Sequence, residues 1–307
     1  MNKEKDFKNW AVGISIVRSI NGNFNADISK MPRTLPDKTG TIYATDKALK
    51  YCIRNYLVNT KGEDVFMWRR QNEKIEPLNI DENFKKLFGE DPTKIDRKEI
   101  LSKLLTCIDV RLFGCTYAGK GNNIAIHGTA QISYGVNGLQ ENLVYSNQIL
   151  SPFQNLKKGE TTQSTMGDES KAIDVCYVYD YNINPNNIGS ENAQRLTEDD
   201  VETFKEALCR GVNSVNTTTK IGSETLLVAY VELSKPKLLQ NLKKLIKISK
   251  DGNGNLSIDI TNMVRYLKKF DGDILKSQIF YEKEKANIVN GEKWGKLKEV
   301  DLFAESD

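Results

Sequence analysis

Strands and helices alternate in this chain as strand, helix, insertion, strand, excursion, strand, helix, strand. That order predicts an α+β fold with a ferredoxin-like, RRM-type palm, βαββαβ. Two features elaborate it: a charge-dense, helix-rich stretch at 61–106, and a segment at 143–170 patterned as a projecting β-hairpin. The palm is then drawn from residues 1–60, 107–142 and 171–307, the last including a C-terminal extension.

The first strand is read from "WAVGISIVRSI" (10–20). Val12, Ile14, Ile16 and Ile20 fall on one face, and Gly13, Ser15 and Ser19 on the other. A long loop leads to "ATDKALKYCIRNYL" (44–57). There Leu49, Cys52, Ile53, Tyr56 and Leu57 recur at helical spacing and form a buried stripe. Thr45 or Asp46 supplies the N-cap signal. Lys47, Lys50 and Arg54 line the opposite face, with Tyr51 beside them and no acid beyond the first turn. Such a face is either a solvated basic surface or a rail for phosphates.

Between 61 and 106 the chain carries ten basic and ten acidic residues, with helix-like pieces "NFKKLF" and "KEILSKLL". "IAIHGTAQISYGV" (124–136) and "AIDVCYVYDY" (172–181) read as strands. "LTEDDVETFKEALCRG" (196–211) reads as a helix capped by Thr197, with acids in its first turn and Gly211 at its end. "ETLLVAYVEL" (224–233) is a nearly continuous apolar strand. In the excursion, "LVYSNQIL" is strand-like, "NLKKGE" is a turn and "TTQSTM" is polar up to Met166. A ribbon with one polar arm cannot bury itself, so the segment is either a long disordered loop or a finger that projects and orders against another molecule. Phe153, Leu156 and Met166 are its isolated apolar groups and candidate wedges against that molecule.

Length and composition fit one elaborated domain or two. The 307 residues are 39% hydrophobic with a formal charge of +3. Positive charge is local: residues 235–269 hold nine Lys/Arg against Asp251 and Asp259. Five cysteines (52, 107, 115, 176, 209) form no CxxC pair, which suggests free thiols in a reducing cytoplasm. The sequence contains neither a signal peptide nor an apolar run long enough to span a bilayer.

Motifs for several chemistries fail. "AGKG" and "WGKL" lack the phosphate-loop pattern, and "GKGNNI" lacks the third glycine of a dinucleotide fingerprint. "DGNGNLSIDITN" (251–262) begins as a calcium loop, but Leu256 and Asn262 stand where Gly and Glu are needed, so it reads as a hairpin turn. His127 is the single histidine, which excludes sites built on two. No metal site and no cofactor are expected. Asp27, in the loop after the first strand, is the one carboxylate whose setting suggests chemistry, with a turn role as the alternative.

In order, "NGNFNADISKMPRTLPDKTGTIYATDKALKYCIRNYL", "DVRLFG" (109–114), "GTAQISYG" (128–135), "LTEDDVETFKEAL" and "NSVNTTTKIGS" (213–223) resemble pieces of the backbone subunits of type I CRISPR interference complexes, the Cascade "Cas-seven" family of the RAMP superfamily. The resemblance is to the type I-B subgroup and covers about residues 10–233. It implies a palm with helical "fingers" (61–106) and a "thumb" hairpin (143–170). It also implies a non-catalytic protein that polymerises along CRISPR RNA and leaves the bases free to pair with target DNA. The implied partners are CRISPR RNA, further copies of the chain, the cap, large and small subunits, and the guide-processing endonuclease. A guide carrier must accept any spacer, and phosphate contacts position RNA without reading it. The implied RNA contacts are Asn21, Asn23, Arg33, Thr45, Lys47, Lys50, Arg54, Gln131, Ser133 and Lys220. Two other readings stand beside this one. One is a ribonuclease of the related type III backbone kind, cutting target RNA through Asp27. The other is a generic single-strand-binding module.

Overall fold

The computed structural model describes residues 5–150, 154–157, 160–163, 166–189, 191–192, 194–290 and 294–304. The first strand, β1 (Trp10–Gly22), runs through the middle of a nine-stranded sheet. After β2 (Tyr43–Ala44) comes α1 (Asp46–Tyr56), which continues as a π-helical turn over Leu57–Lys61. The insertion supplies α2 (Ile80–Phe88) and α3 (Arg97–Leu104), and α4 (Ile108–Phe113) follows it. Asn79 and Glu82 cap α2 reciprocally, and Asp96 caps α3. The ribbon β3 (Gly114–Gly119) and β4 (Asn122–His127) follows.

Phe66, Phe84, Ile100, Leu104, Tyr117 and Ile124 share a separate small core, so the inserted unit packs onto residues well past 106. The stretch 124–136 is therefore not the single strand expected from its pattern. Its first part stays in the ribbon. Only β5 (Ala130–Ile132) and β6 (Gly135–Asn137) join the main sheet. Gly128 makes the break possible, because a Cβ there would lie 2.2 Å from the Gly114 nitrogen. Gly114 itself has φ +73°, a conformation suited to glycine.

β7 (Val144–Leu150) pairs with the first part of β10 (Met166–Ile183), and β8 (Gln154–Lys157) pairs with β9 (Glu160–Gln163). The excursion thus contains two-stranded pairing, and its returning arm is continuous with a central strand of the sheet. Phe153 lies outside the described residues, as do the side chains of Leu156 and Met166.

α5 (Glu198–Arg210) starts at the Thr197–Asp200 capping box, and β11 (Ser223–Leu233) is the apolar strand. β1 lies between β10 and β11, antiparallel to both. One face of these strands packs on α1 and α5: Tyr177, Tyr179, Tyr181, Val228 and Tyr230 meet Leu49, Ile53, Phe204 and Leu208. The small residues of β1 make room for rings on this side. A Cβ on Gly13 would lie 2.4 Å from the Tyr181 ring, whose hydroxyl donates to Ala229 O at 2.8 Å.

The other face corresponds to the one that an RRM-type palm leaves free of helices to hold single strands. It is covered. The extension forms β12 (Lys247–Lys250), β13 (Leu256–Asp259), α6 (Thr261–Leu267), β14 (Ile274–Tyr281), β15 (Ala286–Val289) and β16 (Leu297–Asp301). From it Leu239, Leu242, Ile248, Ile258, Met263, Leu267 and Trp294 pack on Val12, Ile14, Ile16, Val178, Leu227 and Val231. The polar positions of this face meet lysines of the extension. Asp174 is bound by Arg18 at 2.8 Å and Lys250 at 2.6 Å, and Asp180 accepts from the Lys243 amide at 2.7 Å. Burial alone would raise the Asp174 carboxyl, but its two cations outweigh it and hold it below the usual range. Several basic residues of 235–269 are paired within the chain, with Lys235 and Lys237 both on Asp273 at the surface.

The turn between β12 and β13 is the failed calcium loop. Asp251 accepts from the amides of Asn253 and Asn255 at 2.9 Å, so the hairpin reading holds. All five cysteines are free and buried, and burial pushes each thiol up, Cys52 to about 11 and Cys107 to about 12.

Candidate nucleic-acid interface

Helix α1 places Lys47, Lys50 and Arg54 as its periodicity requires, but their surroundings differ from an open rail. Lys47 is exposed, with 81% of its side chain in solvent and Asp46 at 3.6 Å. Lys50 is only 9% exposed. It donates to Asp46 at 2.9 Å and lies over the Phe113 ring at 5.3 Å. Burial would raise the Asp46 carboxyl, yet Lys50 and Lys47 together hold it low. Arg54 donates to Asp109 at 2.8 Å and stacks over the same ring at 5.1 Å. The acids missing from the helix face are thus supplied by its first turn and by α4.

Asp109 was not singled out as a site residue. It is fully buried, and its carboxylate accepts from the Phe66 amide at 2.8 Å, the Met67 amide at 3.1 Å and Arg54. Two residues on, Arg111 donates to both carboxylate oxygens of Asp200, from Nη2 at 2.6 Å and from Nε at 2.8 Å. "DVRLFG" is therefore a brace: Asp109 ties the insertion to α1, Arg111 ties it to the cap of α5, and Gly114 turns the chain. Two opposite charges inside an apolar hexapeptide were the available signal.

A second group gathers at the end of β1. Asn21 has φ +49° and accepts from the Tyr145 hydroxyl at 3.5 Å. Asn23 is buried, and its amide nitrogen donates to Lys30 O at 2.8 Å and Ser170 O at 3.0 Å. It pins the loop to β10 at the point where β7 pairs with it. Lys220 reaches in from the 213–223 loop to the Phe24 carbonyl and lies over the Phe24 ring at 4.3 Å, with its pKa lowered by burial. Thr45 donates twice to Asn25, at 2.8 and 3.0 Å, and the Arg33 amide donates to Asn25 O. The two loops quoted for the family resemblance do meet, but their polar side chains mainly hold each other.

Gln131 and Ser133 lie elsewhere. Gln131 pairs in register with Asn182, and Ser133 accepts from the Asp180 amide at 3.0 Å and from Lys243 at 2.9 Å. Asn23 sits at Ser170, so along β10 the two groups are about 33–40 Å apart at roughly 3.3 Å per residue. They do not form one site. Asp27 accepts from the Met31 amide at 3.0 Å in a self-contained turn, and His127 ends β4 exposed. No group of three or more His, Cys, Asp or Glu suited to a metal ion gathers among the described residues. Nor is any described helix long and apolar enough to cross a membrane.

Fold and surface together define an α+β protein whose large sheet is buried on both sides, leaving loops, one helix face and a strand ribbon as its accessible working parts. The family model described as "CRISPR-associated protein Cas7" matches residues 11–272, and the chain belongs to that family. A solved chain described as "CRISPR RNA-guided surveillance complex, pre-nicking" is similar at 12% identity and TM-score 0.58, covering 95% of this chain and 96% of that one; the likeness is one of fold. Another, described as "CRISPR RNA-guided surveillance complex", covers 90% of this chain and 94% of that one at 12% identity and TM-score 0.47. No curated protein sequence matches the chain.

Proposed function

We propose that this chain is a non-catalytic, cytoplasmic CRISPR RNA-binding subunit that polymerises along the guide and forms the backbone of a type I-B interference complex. The family match over residues 11–272 carries this reading. The sheet supports a ferredoxin-like palm, since β11, β1, β10 and β5/β6 lie in that order, antiparallel throughout, with α1 and α5 on one face. Copies of the chain, the cap, large and small subunits, the guide-processing endonuclease and guide-paired target DNA are its partners in this reading.

Lys47, with Lys50 behind it, contacts phosphates; Arg54 is kept to neutralise Asp109. For single strands the log–log salt slope is about −0.7 per phosphate neutralised. Lys47→Ala with Lys50→Ala flattens the slope by up to about 1.4 on that basis and weakens all sequences alike. An unchanged slope returns the helix to a solvated face. Electron microscopy of the chain assembled with CRISPR RNA shows regular filaments; separate particles with RNA attached would favour the generic binding module.

The ribonuclease alternative rests on Asp27, whose carboxylate is engaged by the Met31 amide. Guide-paired RNA incubated with the assembled protein and Mg²⁺ stays intact. Periodic cuts that vanish in Asp27→Ala would reverse the assignment.

A further inference from the structure

Tyr51 on α1 is 44% exposed, and its ring stacks on Trp68 of the insertion, with centroids 5.8 Å and planes 17° apart. Met67 beside them is 46% exposed, and Trp68 is half-buried. Two segments distant in sequence thus hold a two-ring surface at the solvent.

The turn carrying Trp68 is fixed from behind. Asp109 accepts the Phe66 and Met67 amides, and the Trp68 amide donates to Phe66 O at 2.8 Å. Arg70 donates to Val65 O at 2.8 Å and Asn83 at 3.0 Å, and Asn83 donates back to Phe66 O at 2.9 Å. Such a ring keeps its place without a ligand and loses little freedom on receiving one.

The rim is cationic. Lys47 lies four residues before Tyr51 and Arg54 three after it, on the same face of the helix. The exposed Arg69 follows Trp68. Two acids beside it are engaged, Asp46 by lysines and Asp109 beneath Arg54.

Flat rings flanked by cations suit a base with phosphates on either side. Resting on the RNA-binding reading above, we infer that Tyr51 and Trp68 form a stacking platform for one unpaired base of a single strand. Lys47 and Arg69 take the flanking phosphates. Every base has a π face, so the platform tolerates any sequence.

The test compares a short oligouridine RNA with an abasic strand of equal length and charge. The wild-type protein favours oligouridine by about 5- to 100-fold, the range expected for one stacked base. Trp68→Ala and Tyr51→Ala each reduce that preference and leave abasic binding unchanged; Trp68→Phe keeps it. Oligouridine, but not the abasic strand, quenches the emission that Trp68→Phe removes. Equal binding of both strands by the wild type overturns the platform alone, as does an undiminished preference in both alanine variants or an equal loss towards both strands, the mark of a docking site for protein or of damaged folding. Binding of neither strand overturns the platform and the RNA-binding reading together.

Discussion

Asp109→Ala lowers stability by about 3–5 kcal/mol, the usual result of removing one partner from a buried ion pair. The carboxylate is fully buried and is the shared acceptor for Arg54 and for the Phe66 and Met67 amides. Its loss leaves a guanidinium and two amides without an acceptor, and each unsatisfied buried group carries its own desolvation penalty. Asp109→Asn is milder, since its side-chain oxygen still accepts. Thermal melting followed by circular dichroism checks both. A melting temperature for Asp109→Ala within a degree of the wild type would show that the brace contributes nothing.

Removing residues 234–307 has a larger effect: the remaining chain does not fold to a soluble monomer. The deletion uncovers Val12, Ile14, Ile16, Val178, Leu227 and Val231, all now buried under the extension. Burial of such a side chain contributes about 1.5–3 kcal/mol, so six together contribute about 9–18 kcal/mol, comparable with the ~5–15 kcal/mol of net stability of a typical domain. It also strands Asp174 without Lys250 and Asp180 without Lys243. Soluble, monomeric truncated protein with a cooperative melt would mean that the sheet tolerates an open face.

Local elements were legible because local physics sets them. The Thr197–Asp200 capping box and the Val201, Phe204, Leu208 stripe define α5 without help from the rest of the chain. The Asp251 turn is likewise decided within five residues. The covered sheet face was not legible. Alternation in β1 marks an apolar face and a small-residue face, but nothing in it says that Gly13 admits the Tyr181 ring or that the apolar face lies under the C-terminal extension. Charge was misleading for a related reason. Lys50, Lys243 and Lys250 find their acids four, 63 and 76 positions away, at Asp46, Asp180 and Asp174. Counting charge within a window sees only the first of these. Gln131 and Ser133 entered the candidate site by motif order, and the register along β10 puts them far from Asn23.

The central position of β1 also governs when the chain can fold during synthesis. Ala11 pairs with Ile183 and Trp10 with Leu233, so the first strand made waits for both its neighbours. At about 5–20 residues per second, roughly 10–45 s pass between the emergence of β1 and that of β11. The unit around Phe66, Phe84 and Tyr117 is built from residues close in sequence and has closed its loops long before then. During the delay "VGISIV" is a bare apolar strand with both edges unpaired, the form most prone to join another nascent chain. Slower translation before residue 172 lengthens that exposure, while a chaperone that holds the N-terminal segment until β10 emerges shortens the hazard.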